Sequence, residues 1–552
     1  MAWISYNSRR CALERGRTLF DFADQLAVPV PTSCGRNGIC HECIVEIQRG
    51  GQALSPRAGP EDFLRDTYRL ACQAVIDNPE FDVEFALLQR RPKILTTATA
   101  SPCPLDPQVT RDGGTVLYDG EAIDEYRGHI YGAAIDVGTT TIVIELVDLE
   151  TGMTVCLASL ENPQRFGGSD VMHRISYDSG SYRGELHKSV IGALNRELKE
   201  MYKQLGIVRQ EIYEVVVVGN ATMRDLFFGL DVQTIGQRPY KSVVEHEYRA
   251  GRRDATSLTE LAHRLGILTH PQARIYGAPL IASHVGADTA ADLLAIDIEA
   301  QRDPVMLIDV GTNTEVVVGH AGHLVAASCP AGPAFEGGLI KYGMTAGDGA
   351  IEALGWNGRG WEHHTIGGVP PKGICGSGLI DLLAELRRHG LMTPKGVFAN
   401  KARELSIVPE AGITFSLEDM SNLAQAKAAN YCGQVIAMRS FGVSPDQISR
   451  VFLAGAFANY VNVTNAIEIG FLAPIPEDRV VKVGNASVAG AKQMLVSRRK
   501  RRSIEDLVKR IQHVELETTP DFFDIFVEGC QFKPMAAAPG LKVEAASRRP
   551  LA

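Results

Sequence analysis

Ala134-Ile135-Asp136-Val137-Gly138-Thr139-Thr140-Thr141-Ile142-Val143 and Leu307-Ile308-Asp309-Val310-Gly311-Thr312-Asn313-Thr314-Glu315-Val316-Val317 are two copies of one pattern. In each, an apolar strand carries an Asp to its end, a Gly-Thr turn follows, and a second β-rich run returns. The amides and hydroxyls of such a turn can cradle phosphate oxygens, and the Asp can hold a hydrated Mg²⁺. One copy alone reads as well as an ordinary turn; two copies predict a clamp built on Asp136 and Asp309 from opposite sides of a cleft. A second pair, Val218-Gly219-Asn220-Ala221-Thr222 and Val483-Gly484-Asn485-Ala486-Ser487, gives each half a G-N-A-[ST] turn entering a helix. From about residue 129 strands and helices alternate, an α/β pattern. The echoes predict a duplicated domain.

Two further turns fit a nucleotide site. Val451-Phe452-Leu453-Ala454-Gly455-Ala456-Phe457-Ala458-Asn459 is a buried strand ending in small residues, where a nucleoside can approach the backbone. Ile374-Cys375-Gly376-Ser377-Gly378-Leu379-Ile380 opens a helix whose free amides suit phosphate or ribose. Each reads equally as a plain strand-to-helix turn. The expected nucleotide set is Gly138, Thr139, Thr140, Thr141, Gly311, Thr312, Asn313, Gly376, Ser377, Gly378, Gly455 and Ala456, with Asp136 and Asp309 in the catalytic role.

Four cysteines near the N-terminus carry a different chemistry. Cys34, Cys40 and Cys43 are spaced C-x5-C-x2-C, and Cys72 follows after 28 residues. Three thiolates on a glycine-bearing loop with a distant fourth approach the C-x4-C-x2-C…C spacing of plant-type [2Fe–2S] ferredoxins, with one residue more in the loop. Gly35 and Gly38 supply the backbone freedom that wrapping a cluster requires. Structural zinc is the alternative, although zinc sites usually come as two matched short-spaced pairs. Around the loop, Thr18–Ala23 starts a short helix and Cys43–Ile47 alternates as a strand does.

Length, charge and composition set the remaining bounds. A chain of 552 residues needs more than one core. The 45% apolar and 22% charged residues are those of a globular protein, and a net charge of −9 gives nucleic-acid binding no support. The run Arg498-Arg499-Lys500-Arg501-Arg502 reads as a solvated helix end, with a docking patch for an acidic protein as the alternative. No secretory signal and no membrane-spanning run is visible. Eleven cysteines suit a reducing compartment, so the expected location is the cytoplasm. The expected domains are 1–90, a cluster module; 91–128, a linker with prolines at 92, 102, 104 and 107; 129–303, a first lobe; 304–532, a second lobe; and 533–552, a disordered tail.

The order of these motifs resembles the acetate kinase, sugar kinase, Hsp70 and actin superfamily. More narrowly, the chain resembles the ferredoxin-fused ATP-dependent reductive activators of corrinoid proteins over about residues 15–530. The strings carrying that match are Val218–Met223, Val285-Gly286-Ala287-Asp288-Thr289-Ala290, Ala331-Gly332-Pro333-Ala334-Phe335-Glu336-Gly337-Gly338, Gly376–Asp381 and Ala454–Phe457. The resemblance implies a β-grasp ferredoxin followed by a duplicated α/β actin-like ATPase with ribonuclease-H-like halves. It implies a [2Fe–2S] cluster and Mg-ATP as cofactors, and reduction of Co(II) to Co(I) as the task. The implied partners are an upstream electron donor and a corrinoid protein, either a methyltransferase or cobalamin-dependent methionine synthase, with no nucleic acid and no membrane. Larger members have a middle module; only residues 91–128 separate the two parts here, so none is expected. The competing readings are an acyl-CoA dehydratase activator, a kinase with a fused ferredoxin and a chaperone-like ATPase. The loop Ser328–Gly338 is read either as a corrinoid-docking loop presenting Ser328 and Glu336 or as a tight connection against the second hairpin.

Overall fold

The computed structural model describes residues 2–88, 101, 103–455 and 458–536. The chain divides into two compact units, each described here by itself. The first contains the N-terminal module and residues 102–291, and it also takes back residues 487–505. That return departs from the expected boundaries, which put 487–505 in the second lobe.

The N-terminal module is a five-stranded mixed sheet, ordered Arg9–Ala12, Trp3–Tyr6, Val83–Leu87, Ile44–Arg49 and Tyr68–Leu70. Helix Leu19–Gln25 packs on it. Thr18 and Asp21 close a capping box at its start, and Leu19, Phe20, Phe22 and Ala23 form its buried face. The helix and strand expected at Thr18 and Cys43 are both present, and the arrangement is a β-grasp.

Part of the expected linker is folded. Val109–Asp112, Thr115–Tyr118 and Glu121–Glu125 form a three-stranded antiparallel sheet. Val109, Val116 and Tyr118 are buried, and the Tyr118 hydroxyl donates to Glu214 at 3.1 Å. The sequence held the signal: Asp112-Gly113-Gly114 and Asp119-Gly120 stand between β-prone runs, and Asp119 and Gly120 have φ of 53° and 87°. Asp-Gly pairs of this kind close tight hairpins. Residues 91–100 of that expected linker, and 537–552 of the expected tail, lie outside the described residues.

Each larger half is built on one sheet plan. In the first, the order is Thr154–Glu161, Thr141–Asp148, Tyr131–Val137, Ile212–Val218, Arg274–Gly277 and Leu258–Leu261. In the second, the same order reads from His323–Cys329 through Thr314–His320, Val305–Val310 and Arg450–Ala454 to Val480–Gly484, with Ile511–His513 added beyond His323–Cys329. Both start as antiparallel meanders and then add parallel strands. Ile212–Val218 is buried at every position, as expected of a parallel strand covered on both faces.

This plan confirms the duplication but re-pairs the motifs. Val218-Gly219 follows the fourth strand of its half, whereas Val483-Gly484 follows the fifth. The equivalent of Gly219 is Gly455, after Arg450–Ala454. A Cβ on Gly219 would clash with the carbonyl of Val137, and one on Gly455 with that of Val310, the matching residue. Both glycines have positive φ, 152° and 105°. The shared G-N-A-[ST] letters therefore do not mark equivalent places.

The basic run opens a helix, but only part of it is solvated: Arg499 and Arg502 are exposed and Arg501 is buried. Arg501 is only 6% exposed and bonds Glu214, 0% exposed, at 2.8 Å, with its guanidinium 4.4 Å from the Tyr276 ring centre. Arg498 bonds Asp106 at 2.6 Å. Arg501→Ala strands a buried carboxylate, and such a loss costs about 3–5 kcal/mol; thermal unfolding monitored in the first unit should show it.

In the second unit, helix Leu417–Phe441 runs through the core and buries Lys427, whose ammonium donates to the carbonyl of Gly529. Burial pushes its pKa down to about 7, against the pull of Cys530 and Cys432. Above pH 7 the fold has shed a proton that the unfolded chain still binds, so this group makes stability rise with pH between about 7 and 9. Lys427→Met should flatten that slope and raise stability at pH 7, as measured by denaturant midpoints across the window.

Candidate cluster and nucleotide sites

The four N-terminal cysteines are brought together as two pairs. Cys43 and Cys72 are buried, and the Cys43 thiol donates to Cys72 Sγ at 3.4 Å. Cys34 and Cys40 are half-buried and hydrogen-bonded to each other. Among the described residues, no three His, Cys, Asp or Glu side chains converge as ligands of a single ion. Gly35, Arg36, Gly38 and His41 all take positive φ, which folds the loop around the thiols. Gly38 passes close to Pro60 and Gln73, so a Cβ there would meet Pro60 Cβ at 2.9 Å.

Electrostatics at the site favour thiolates at one member of each pair. Burial raises the Cys34 thiol, but hydrogen bonds from the amide and thiol of Cys40 and the amides of Ile39 and Asn37 outweigh it and hold Cys34 at about 6. The bond from Cys43, opposed by burial and helped by Gln73 and the Gly38 amide, holds Cys72 at about 6. The same bond, with burial, pushes Cys43 up. Amides aimed at sulfur are what a cluster's thiolates require. Four thiols in two hydrogen-bonded pairs, with amides aimed at them, fit the donor set of a two-iron cluster.

In the first lobe, Asp136 is the penultimate residue of Tyr131–Val137, in register with Val143 on one side and Val218 on the other. The Gly138 amide donates to the Thr141 carbonyl at 3.0 Å and closes the turn. Its outward carbonyls are then tied down. Asn162 Nδ2 bonds the Gly138 carbonyl at 2.8 Å, the Asn162 amide bonds that of Thr140 at 2.7 Å, and Arg174 Nη2 bonds that of Thr139 at 2.7 Å. Asn220 Nδ2 donates to the Thr139 hydroxyl at 3.0 Å. With its carbonyls held back, the turn offers amides and hydroxyls. Arg174 is 1% exposed and carries no signature in the sequence.

In the second lobe, the Gly311 amide closes its turn on the Asn313 carbonyl at 3.0 Å, and the Thr312 hydroxyl donates to Glu336 Oε2 at 2.6 Å. Asp309 faces Ala454 across the sheet, as Asp136 faces Val218. Burial pushes Asp309 up to about 6; a hydrogen bond with Asp292 works against this, and the charge of Glu336 adds to it. Three carboxylates, Asp309, Asp292 and Glu336, therefore gather at this hairpin. Asp292 escaped the sequence reading because it lies in a helix far from the motif.

The glycines of Gly376–Gly378 have a packing role. A Cβ on Gly378 would strike the Ile351 carbonyl, and Ser377 Oγ donates to the Glu352 carbonyl at 2.8 Å. All three are buried at the start of helix Gly376–Arg388. Ala456 lies outside the described residues. Ser328 bonds Glu315 at 3.1 Å within the sheet, and Glu336 bonds Thr312. Both are thus engaged with the second hairpin, as the tight-connection reading expects.

A β-grasp module with paired thiols joined to a duplicated phosphate-hairpin fold defines an iron–sulfur protein fused to an actin-like ATPase. Residues 6–77 match the 2Fe-2S iron-sulfur cluster binding domain, 131–301 the RACo middle region, and 303–542 the C-terminal domain of RACo, the ASKHA domain. The corrinoid activation enzyme RamQ of Eubacterium limosum is 28% identical over 595 residues, covering 93% of this chain and 95% of its own. The [Co(II) methylated amine-specific corrinoid protein] reductase of Methanosarcina barkeri is 24% identical, covering 72% and 76%. The solved structure of a reductive activator for corrinoid,iron-sulfur protein superposes with a TM-score of 0.70 at 28% identity, covering 97% of this chain and 99% of that one. The chain is thus similar, over nearly its whole length, to ferredoxin-fused reductive activators of corrinoid proteins. The RACo middle region covers 131–301, the span read above as the first lobe, and residues 91–128 fall outside all three matched spans.

Arg174→Met would free the Thr139 carbonyl and leave the first turn unbraced. A charged buried hydrogen bond is worth about 1.5–3 kcal/mol, so nucleotide affinity by calorimetry should fall about tenfold or more, with the visible cluster spectrum unchanged.

Proposed function

We propose that this protein reactivates a corrinoid protein by ATP-dependent reduction of Co(II) to Co(I), passing electrons through a [2Fe–2S] cluster. The observation that carries the reading is the conjunction, in one chain, of paired and amide-stabilised thiols with two phosphate hairpins on equivalent strands. Either part alone would fit a simpler protein. A kinase or a chaperone-like ATPase leaves the cluster module without work. An acyl-CoA dehydratase activator does not account for the corrinoid-related relatives at whole-chain coverage.

Cys34, Cys40, Cys43 and Cys72 would hold the cluster through their thiolates. The bound cluster supplies one electron at a time, near −400 mV if it behaves as plant-type clusters do. Each further 100 mV that the acceptor demands costs about 2.3 kcal/mol per electron, and nucleotide is the source of that energy. Asp136 and Asp309 organise Mg²⁺ and the phosphates, with Asp292 and Glu336 completing the acidic set. Gly138, Thr139, Thr140, Thr141, Gly311, Thr312 and Asn313 donate to phosphate oxygens, and Gly455 borders the nucleoside. Coupling requires that the nucleotide state change the affinity for the two cobalt states.

The partner is a corrinoid protein of a methyltransferase system or a cobalamin-dependent methionine synthase, and a separate reductant feeds the cluster. None of the eleven cysteines is joined in a disulfide, which supports a reducing cytoplasm. No helix among the described residues is long and apolar enough to cross a membrane.

Anaerobic holoprotein mixed with a Co(II) corrinoid protein, reductant and Mg-ATP should lose the Co(II) electron-paramagnetic signal, and omission of ATP should preserve it. Cys72→Ser should bleach the cluster and stop reduction while ATP still binds. Asp309→Asn should keep the spectrum and lower ATP hydrolysis at least a hundredfold, the scale on which preorganised charge stabilisation acts. Hydrolysis at the normal rate in Asp309→Asn would remove that residue from the site.

A further inference from the structure

The residues after Cys40 do not face open solvent; they meet the first lobe. His41 Nδ1 lies 2.7 Å from Glu185, and Arg196 Nη1 lies 3.5 Å from Glu42. Arg165 is shared between Glu46 of the cluster module and Glu161 of its own lobe, the latter at 2.8 Å. Beneath these pairs, His41 stacks on Phe63 with ring centres 4.0 Å apart, and Phe63 meets Phe166 edge-on at 5.9 Å. The Tyr177 hydroxyl donates to the Phe63 carbonyl at 2.5 Å.

The contact joins ion pairs to a small aromatic cluster and is incompletely packed. A cavity of about 860 Å³ opens along it, reaching from Pro29 and Cys40 on the module to Leu160 and Arg196 on the lobe. Arg196 Nε is buried there without a hydrogen-bond partner. Permanent interfaces are packed like protein interiors and tolerate few such voids, whereas ion-paired, polar contacts between domains are of the transient kind. The tip of the cluster loop stays open: Ile39 is 72% exposed, and Cys34 is half-buried.

We infer that the face of the first lobe centred on Arg165, Phe166, Tyr177, Glu185 and Arg196 is a docking surface for the chain's own cluster module, held by a salt-sensitive latch that releases and re-forms. A small reductant reaches the cluster in the docked position through the open loop tip, whereas a large acceptor that must approach from the Cys40 and His41 side requires release.

The test uses the cluster-loaded full chain. Arg165→Glu sets like charges against Glu46 and Glu161, and such juxtapositions across an interface cost several kcal/mol. Hydrogen exchange in peptides spanning 38–43 and 161–168 should then speed up about tenfold or more, and adding Glu46→Arg should restore protection. In the unaltered chain the same peptides should lose protection as ionic strength approaches about 1 M, where the screening length falls to about 3 Å. The rate of cluster reduction by dithionite should not change in any of these. Unchanged exchange in Arg165→Glu, or no response to salt, would overturn the latch. Loss of the cluster spectrum in Arg165→Glu would equally overturn it, because the contact would then be part of the module's fold. None of these readouts involves a corrinoid protein, so the latch and the proposed activity fail separately.

Discussion

Two glycines seat the phosphate hairpins. Gly219 and Gly455 each bring the chain leaving the fourth strand against the carbonyl of the residue after the hairpin Asp of their own half, Val137 in one and Val310 in the other. Any side chain there would push the fourth strand away from the hairpin. The approach lets Asn220 reach the Thr139 hydroxyl and sets Ala454 beside Asp309. The positive φ that this approach demands restricts both positions to glycine.

The two hairpins share a backbone plan but not an electrostatic one. The first is braced by neutral amides and one buried guanidinium, Arg174, which pull its carbonyls inward. The second gathers Asp309, Asp292 and Glu336: burial and the charge of Glu336 raise Asp309, and its hydrogen bond with Asp292 works against them. The two turns share one scaffold and differ in the charges placed around it.

The cluster module meets a different demand. Its thiols need amides aimed at them and a loop bent through several left-handed residues, and both are met inside a small β-grasp with its own core. Its contacts with the first lobe are ion pairs and an aromatic cluster beside a cavity.

The sequence by itself determined the cysteine set, the two Asp hairpins and the duplicated α/β plan, because each is written in local spacing: a loop of thiols, a strand followed by Gly-Thr, an alternation of strand and helix. It also held the Asp-Gly turns of the 109–125 sheet, which proline content in the neighbouring stretch concealed. Tertiary structure alone decided which motif answers to which. Gly219 and Gly484 share letters, yet Gly219 and Gly455 share a place, since equivalence follows sheet order rather than sequence resemblance. It alone showed Arg501 as a buried partner of Glu214 instead of a solvated charge, Arg174 and Asp292 as parts of the hairpin sites, and residues 487–505 as part of the first unit. Burial, ion pairing and close backbone approach join residues hundreds of positions apart, and no local pattern records them.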